Sequence, residues 1–221
     1  MKNAVIIVAG GTGSRMGISI PKQFLEIAGK PVILHTIDKF LAFDPNIDMI
    51  LVINQDYIHF WDQLILKYKL SDNFKIAPGC ETRFHSVKNG LMFIEGNPLV
   101  GIHDAVRPLI SVETIRNIYN HATIHGNAIP VVPVKESVRV VQDSGSKMVN
   151  RAVLKLIQTP QVFRYSVLKK AYETNFLPEF TDDASVVEKS GVKIHLVEGD
   201  TCNIKITTPE DIEIANGFLR K

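Results

Sequence analysis

Continuous apolar runs alternate with helix-patterned segments along most of this 221-residue chain, and that alternation constrains the fold more than any other feature. Runs at 4–9 (Ala-Val-Ile-Ile-Val-Ala), 48–53, 74–77, 99–103 and 128–132 read as strands. The first is apolar at every position, as a strand buried on both faces of a parallel sheet must be. Helical patterns lie between them. Pro31 stands at a first helical position, with Ile33, Ile37, Phe40 and Leu41 on one face. Residues 56–70 read as a second helix, and 83–94 as a third with Val87, Leu91 and Ile94 at helical spacing. Ser111 opens a fourth that runs to about His125. The pattern predicts a three-layer α/β fold with a mostly parallel, Rossmann-like sheet.

The alternation breaks at 135–160. Val138–Val141 and Lys147–Arg151 read as two strands joined by the turn Gln142–Ser146, a hairpin that projects as an arm. Beyond it, Tyr165–Thr174 reads as helix. Thr181 is expected to cap a short helix through Ser190 that Gly191 ends. Strands are expected at 192–197 and Asn203–Ile206. Thr208-Pro209-Glu210 then starts a final helix with a cap, a proline and an acid in its first turn. The organisation predicted is one domain over 1–221, with 135–160 as its arm.

With 45% hydrophobic and 22% charged residues and a net charge of +2, the chain has the composition of a soluble globular protein. It has no long basic run to attract nucleic acid or a membrane surface, so neither is expected as a partner. Cys80 and Cys202 are far apart and fit neither a zinc site nor a disulfide framework. No stretch approaches transmembrane length and the N-terminal apolar run is too short for a signal peptide, so a cytoplasmic setting is expected.

The loop after the first run carries Gly10, Gly11, Gly13 and Gly17, with Arg15 and Lys22 among them. Glycines let backbone N–H groups turn toward phosphate oxygens, and two cations suit a triphosphate. The dinucleotide fingerprint fails here because its last glycine position is Met16, and the one Gly-Lys pair, Gly29-Lys30, is followed by Pro31. In open α/β sheets ligands collect at the carboxyl ends of strands. Those ends deliver this loop, the segment Gly79-Cys80-Glu81-Thr82-Arg83 with Ser86, the segment Asp104–Pro108 and the loop leading to Lys205. Asp104 is the candidate magnesium ligand, since magnesium with a triphosphate takes one or two carboxylates; the alternative is a carboxylate that caps the turn before Pro108. Lys205 and Arg151 could equally be solvated charges that protect exposed strands. No nucleophile–base pair is present, as fits a reaction that needs only positioning and charge neutralisation.

Six segments in order resemble the 2-C-methyl-D-erythritol 4-phosphate cytidylyltransferase family. They are the Gly-Gly-x-Gly-Ser-Arg-Met-Gly loop, Pro21-Lys22-Gln23, His103–Pro108, Thr159-Pro160-Gln161, Thr181–Ser185 and Asn203–Thr207. The resemblance implies a nucleotidyltransferase that uses CTP and a polyol phosphate. Arg15, Lys22, Arg151 and Lys205 would be catalytic. Ala9, Gly10, Gly11, Gly13, Gly79, Cys80, Glu81, Arg83 and Ser86 would hold the nucleotide. Asp104, Arg107, Ser137, Arg151, Thr181 and Lys205 would hold the polyol phosphate, and Asp104 would bind Mg2+. It also implies a homodimer whose arms are exchanged, so that Ser137 and Arg151 act in the neighbour's site. Ser137 stands where the family often has Thr, Asn150 where an Asp commonly precedes the Arg, and Gly79-Cys80-Glu81 departs from the usual Gly-Gly-Asp or Gly-Gly-Glu. Ribitol-5-phosphate cytidylyltransferases share the first loop and the His-Asp-Ala-Val-Arg-Pro segment. The other alternative is a non-catalytic nucleotide-binding regulator.

Overall fold

A computed structural model describes residues 2–11, 20–70 and 74–220. The strands of the first half are β1 (Asn3–Ala9), β2 (Glu26–Ile27), β3 (Lys30–Pro31), β4 (Asp48–Ile53), β5 (Lys75–Pro78) and β6 (Leu99–Asp104). Those of the second are β7 (Asn127–Pro133), β8 (Val138–Gln142), β9 (Gly145–Val149), β10 (Lys155–Ile157), β11 (Gln161–Arg164) and β12 (Leu196–Glu198). The helices are α1 (Val32–Phe43), α2 (Ile58–Tyr68), α3 (Arg83–Leu91), α4 (Val112–His125), α5 (Tyr165–Ala171), α6 (Asp183–Lys189) and α7 (Pro209–Leu219).

The central sheet runs β10-β7-β11-β6-β1-β4-β5, with β12 also paired to β7. β1 pairs in parallel with β4 and β6, β4 with β5, and β12 with β7. β11 is antiparallel to both β6 and β7, so β7 points the same way as β6; β10 is antiparallel to β7. Six of the eight strands therefore share one direction, and their carboxyl ends open on the same edge.

Why β1 is apolar throughout is visible in its packing. Val5, Ile7 and Ala9 enter one core with α1, α2 and α4, while Ala4 and Ile6 enter another with α3, α5 and α6. β4 divides alike, with Met49, Leu51 and Ile53 on one face and Ile50 and Val52 on the other. Period-two side chains between two helical layers leave no position for a polar residue. Ser111 accepts from the Thr114 N–H as the cap of α4, and Thr208 and Asp211 form a reciprocal capping box on α7.

Four expectations need correction. Asp182, not Thr181, caps α6; its carboxylate accepts from the Ser185 N–H, which a threonine one residue earlier does not reach. Residues 192–195 are not strand, because Val192 and Ile194 meet their apolar need by packing on the α3/α5/α6 core, leaving only Leu196–Glu198 in the ladder. Asn203–Ile206 is irregular, since Asp200 accepts from the Cys202 N–H and folds the chain into a turn; the segment is held by bonds to loops, from the Ile206 N–H to the Val106 carbonyl just past β6 and from the Asn203 side chain to the Thr159 carbonyl. Within 135–160, β8 and β9 pair, among the described residues, only with each other as the hairpin, whereas β10 rejoins the central sheet. Among the described residues no helix is long and apolar enough to cross a membrane.

Candidate active site

A cleft opens at the carboxyl ends of β1, β5 and β6. It is lined by Ala9, Gly10, Gly11, Lys22, Gln23, Cys80, Glu81, Arg83, Ser86, Asp104 and Lys205, among others. It continues into a shallower hollow beside Asn54, Gly79, His85, Lys88 and Asn89. Of the sequence-predicted nucleotide residues, every one but Gly13 is thus brought to one place; Gly13 and Arg15 lie outside the described residues.

The floor is built from two backbones in contact. A Cβ on Gly79 would come within 3.0 Å of the Asn54 nitrogen and 3.1 Å of the Gly10 Cα, so only glycine permits the approach. The buried Ser86 hydroxyl accepts from the Cys80 N–H at 3.0 Å and so shapes the 79–81 loop from beneath. Gln23, which the sequence reading quoted but gave no role, is buried and donates to the carbonyls of Ala9 at 2.7 Å and Gly11 at 3.3 Å. It ties the Lys22–Phe24 turn to the glycine loop and so sets where Lys22 stands. Its adjacency to Lys22 in Pro21-Lys22-Gln23 was the available signal.

Asp104 ends β6 and is buried among three cations. One carboxylate oxygen lies 3.4 Å from Arg83 Nε; the other lies 3.0 Å from Lys205 Nζ and 3.4 Å from Arg107 Nε. Burial alone would raise its pKa, but Arg83, Lys205 and Arg107 outweigh that and hold it well below the usual carboxylate range. Arg107 also donates to the Asn203 carbonyl at 2.8 Å, which fastens the loop that carries Lys205. Three positive groups around one carboxylate leave the cleft with an excess of positive charge, suited to a polyanion.

His103, its neighbour, faces the other way. It is fully buried, edge-on to Phe40 at 5.0 Å. The Arg107 carbonyl can only accept, so Nε2 carries the ring proton and donates to it at 3.3 Å. Nδ1 then accepts from the Thr159 hydroxyl at 3.1 Å, and that oxygen accepts from the Asp104 N–H at 3.0 Å. Burial pushes the imidazole down to about 3, against the attraction of Asp104. An unfolded histidine titrates near 6.5, so between those values the unfolded state binds the extra proton and stability falls as pH drops. Thermal midpoints measured from pH 7 to 4.5 are expected to decline, and less steeply in His103→Gln. Parallel profiles for the two proteins would remove His103 as the cause.

Three predicted substrate residues lie elsewhere in the chain. Ser137 and Arg151 are exposed at the base of the β8–β9 hairpin, where the Arg151 guanidinium donates to the Lys135 carbonyl. Thr181 is exposed just before α6. None of the three lines the cleft.

The profile of the 2-C-methyl-D-erythritol 4-phosphate cytidylyltransferase family matches residues 3–221. The chain belongs to that family. It is 51% identical over 219 residues to the cytidylyltransferase of this name from Bacteroides thetaiotaomicron, covering 99% of this chain and 100% of the relative. The crystal structure of 4-diphosphocytidyl-2C-methyl-D-erythritol synthase from Anaerococcus prevotii superposes with a TM-score of 0.85 at 30% identity, covering 100% of this chain and 96% of that one. The Francisella tularensis cytidylyltransferase gives 0.82 at 33% identity, with 98% and 99% covered. As an α/β nucleotidyltransferase, the fold agrees with the sequence expectation.

Proposed function

We propose that the cleft performs the reaction for which its family is named: CTP and 2-C-methyl-D-erythritol 4-phosphate give 4-diphosphocytidyl-2-C-methyl-D-erythritol and pyrophosphate, a step toward isoprenoid precursors. The observation that carries this is Asp104 ringed by Arg83, Arg107 and Lys205 beside a glycine floor. The attacking phosphate monoester is largely dianionic near neutral pH, its second pKa being about 6, and needs little help from a base. Its difficulty is repulsion by the triphosphate. Lys22 and, by the resemblance, Arg15 neutralise the triphosphate; Lys205 draws in the incoming phosphate, and Arg107 offers donors to the hydroxyls of the polyol.

Among the described residues no cluster of three acidic, histidine or cysteine side chains could hold a metal by itself. One buried carboxylate at a triphosphate cleft is the donor set magnesium uses when phosphate oxygens and water supply the rest, so Asp104 fits Mg2+. Bound there, the ion would supply charge neutralisation on the triphosphate. A cytoplasmic enzyme is the form in which CTP and a free polyol phosphate are both at hand.

The arm supports a dimer of two such chains. Val141 and Met148 are 83% and 76% exposed on a hairpin that pairs with no other strand among the described residues. A lone two-stranded hairpin is marginal in water, so these apolar side chains call for a covering partner. The exchanged arm would bring Ser137 and Arg151 to the neighbour's cleft.

Pyrophosphate release should be measured with CTP and magnesium against each of two polyol phosphates. Turnover is expected with 2-C-methyl-D-erythritol 4-phosphate, loss of it with excess chelator, and a weakened metal response in Asp104→Asn. Turnover with ribitol 5-phosphate alone would move the chain to that specificity, and CTP binding without turnover would make it a regulator. Full activity in excess chelator would remove the metal role of Asp104.

A further inference from the structure

We infer that Asp183 is a positioning residue for this reaction, holding Arg83 from the α6 side in the orientation that faces Asp104. The inference rests on the cytidylyl-transfer reading of the cleft. Asp183 is fully buried, lies outside the cleft lining, and is engaged by two donors. The Tyr172 hydroxyl donates to one oxygen at 2.6 Å, and Arg83 Nη2 donates to the other at 2.8 Å.

A guanidinium is a rigid plane, so fixing Nη2 on Asp183 fixes the direction in which Nε points. That direction is toward the Asp104 oxygen at 3.4 Å. Arg83 thus spans two carboxylates, one at the reacting centre and one behind it, and it lines the cleft while Asp183 does not. α3 (Arg83–Leu91) carries no acidic side chain that could replace this second anchor, which comes instead from the first residue of α6. The surroundings resist rearrangement. Phe84, next to Arg83, stacks on the Tyr172 ring at 4.8 Å with planes 18° apart. Gln161 accepts from the Ala184 N–H and donates to Asp182, which pins the start of α6 to β11. A buried carboxylate kept outside a cleft is costly unless paired, and here its pairing does the aiming. The same contact joins α3, which carries nucleotide-side residues, to the segment beginning with Thr181.

A purely structural ion pair predicts something different from an aiming device, and a double-mutant cycle separates them. Asp183→Asn is expected to lower kcat/KM for pyrophosphate release by about tenfold or more, and Arg83→Gln by at least as much. If Asp183 acts through Arg83, the double variant should match Arg83→Gln alone within about twofold, although its thermal midpoint still differs. A double variant that loses the product of the two single effects would overturn the inference, as would Asp183→Asn with unchanged kcat/KM. Should Asp183→Asn fail to fold, Tyr172→Phe keeps both charges while freeing one oxygen of Asp183. Its smaller loss, of a few fold, should likewise vanish in the Arg83→Gln background. Wild-type protein inactive with CTP and both polyol phosphates would defeat the reading of the cleft instead; the same cycle run on CTP affinity then still decides whether Asp183 acts through Arg83.

Discussion

Lys22→Ala is expected to lower kcat by at least about a hundredfold, the scale of removing one preorganised charge from a developing transition state. Lys22 opens a short turn whose next residue, Gln23, is buried and bonded to the glycine loop, so its position over the cleft is set by the fold. The side chain is half-buried and the anchor is Gln23, so the variant should fold with a thermal midpoint near that of the parent. Arg15→Ala, on the sequence resemblance, should behave alike. Saturation kinetics in CTP check this: a variant with near-normal kcat and a raised KM would mean that Lys22 binds ground state and transition state equally.

Mixing two inactive variants should restore activity. Lys22→Ala damages the cleft of its own chain, while Arg151→Ala damages whichever cleft the arm serves. If arms are exchanged, a mixed dimer has one cleft lacking both residues and one that is intact. Random pairing makes about half the dimers mixed, so roughly a quarter of all sites recover. Wild-type activity near that fraction after subunit exchange supports Arg151 acting across the dimer. No recovery, with exchange demonstrated by mass labels, would place Arg151 in its own chain's site or in none.

The elements legible in the sequence were those whose signal is local. β1 and β4 announce themselves because both faces are buried, and α7 because its cap, proline and first-turn acids are contiguous. β11 escaped notice for the opposite reason. It is four residues long, begins with a glutamine whose side chain serves α6, and slots antiparallel between β6 and β7 with no period to betray it. Val192 and Ile194 show apolar alternation satisfied by packing without a ladder, which the pattern cannot distinguish from a strand. At the site, the strand carboxyl-end rule pointed to Arg83, Asp104 and Lys205, and the resemblance added a role for Arg107, each one by one. Their convergence on a single carboxylate was not readable, because Lys205 meets Asp104 only after the Asp200 turn folds the chain back. Asp183 lay inside the quoted segment Thr181–Ser185, but its pairing had no signal: its partner Arg83 is 100 positions away, and an acid near a helix start reads as an ordinary cap contributor.

The contact between Gly10 and Gly79 limits how this cleft can be re-engineered. Side-chain pockets are widened or narrowed by trimming or growing atoms, one substitution at a time. A floor made where two main chains touch offers no atoms to trim, and any growth at Gly79 strikes backbone that cannot yield. Under the proposed reaction, changes in nucleotide preference are expected at the rim, where the Cys80 and Glu81 side chains are exposed, rather than at this floor. Cys80 is exposed on that rim, where a changed side chain gives up its contact with the Asn89 amide but leaves the glycine floor in place.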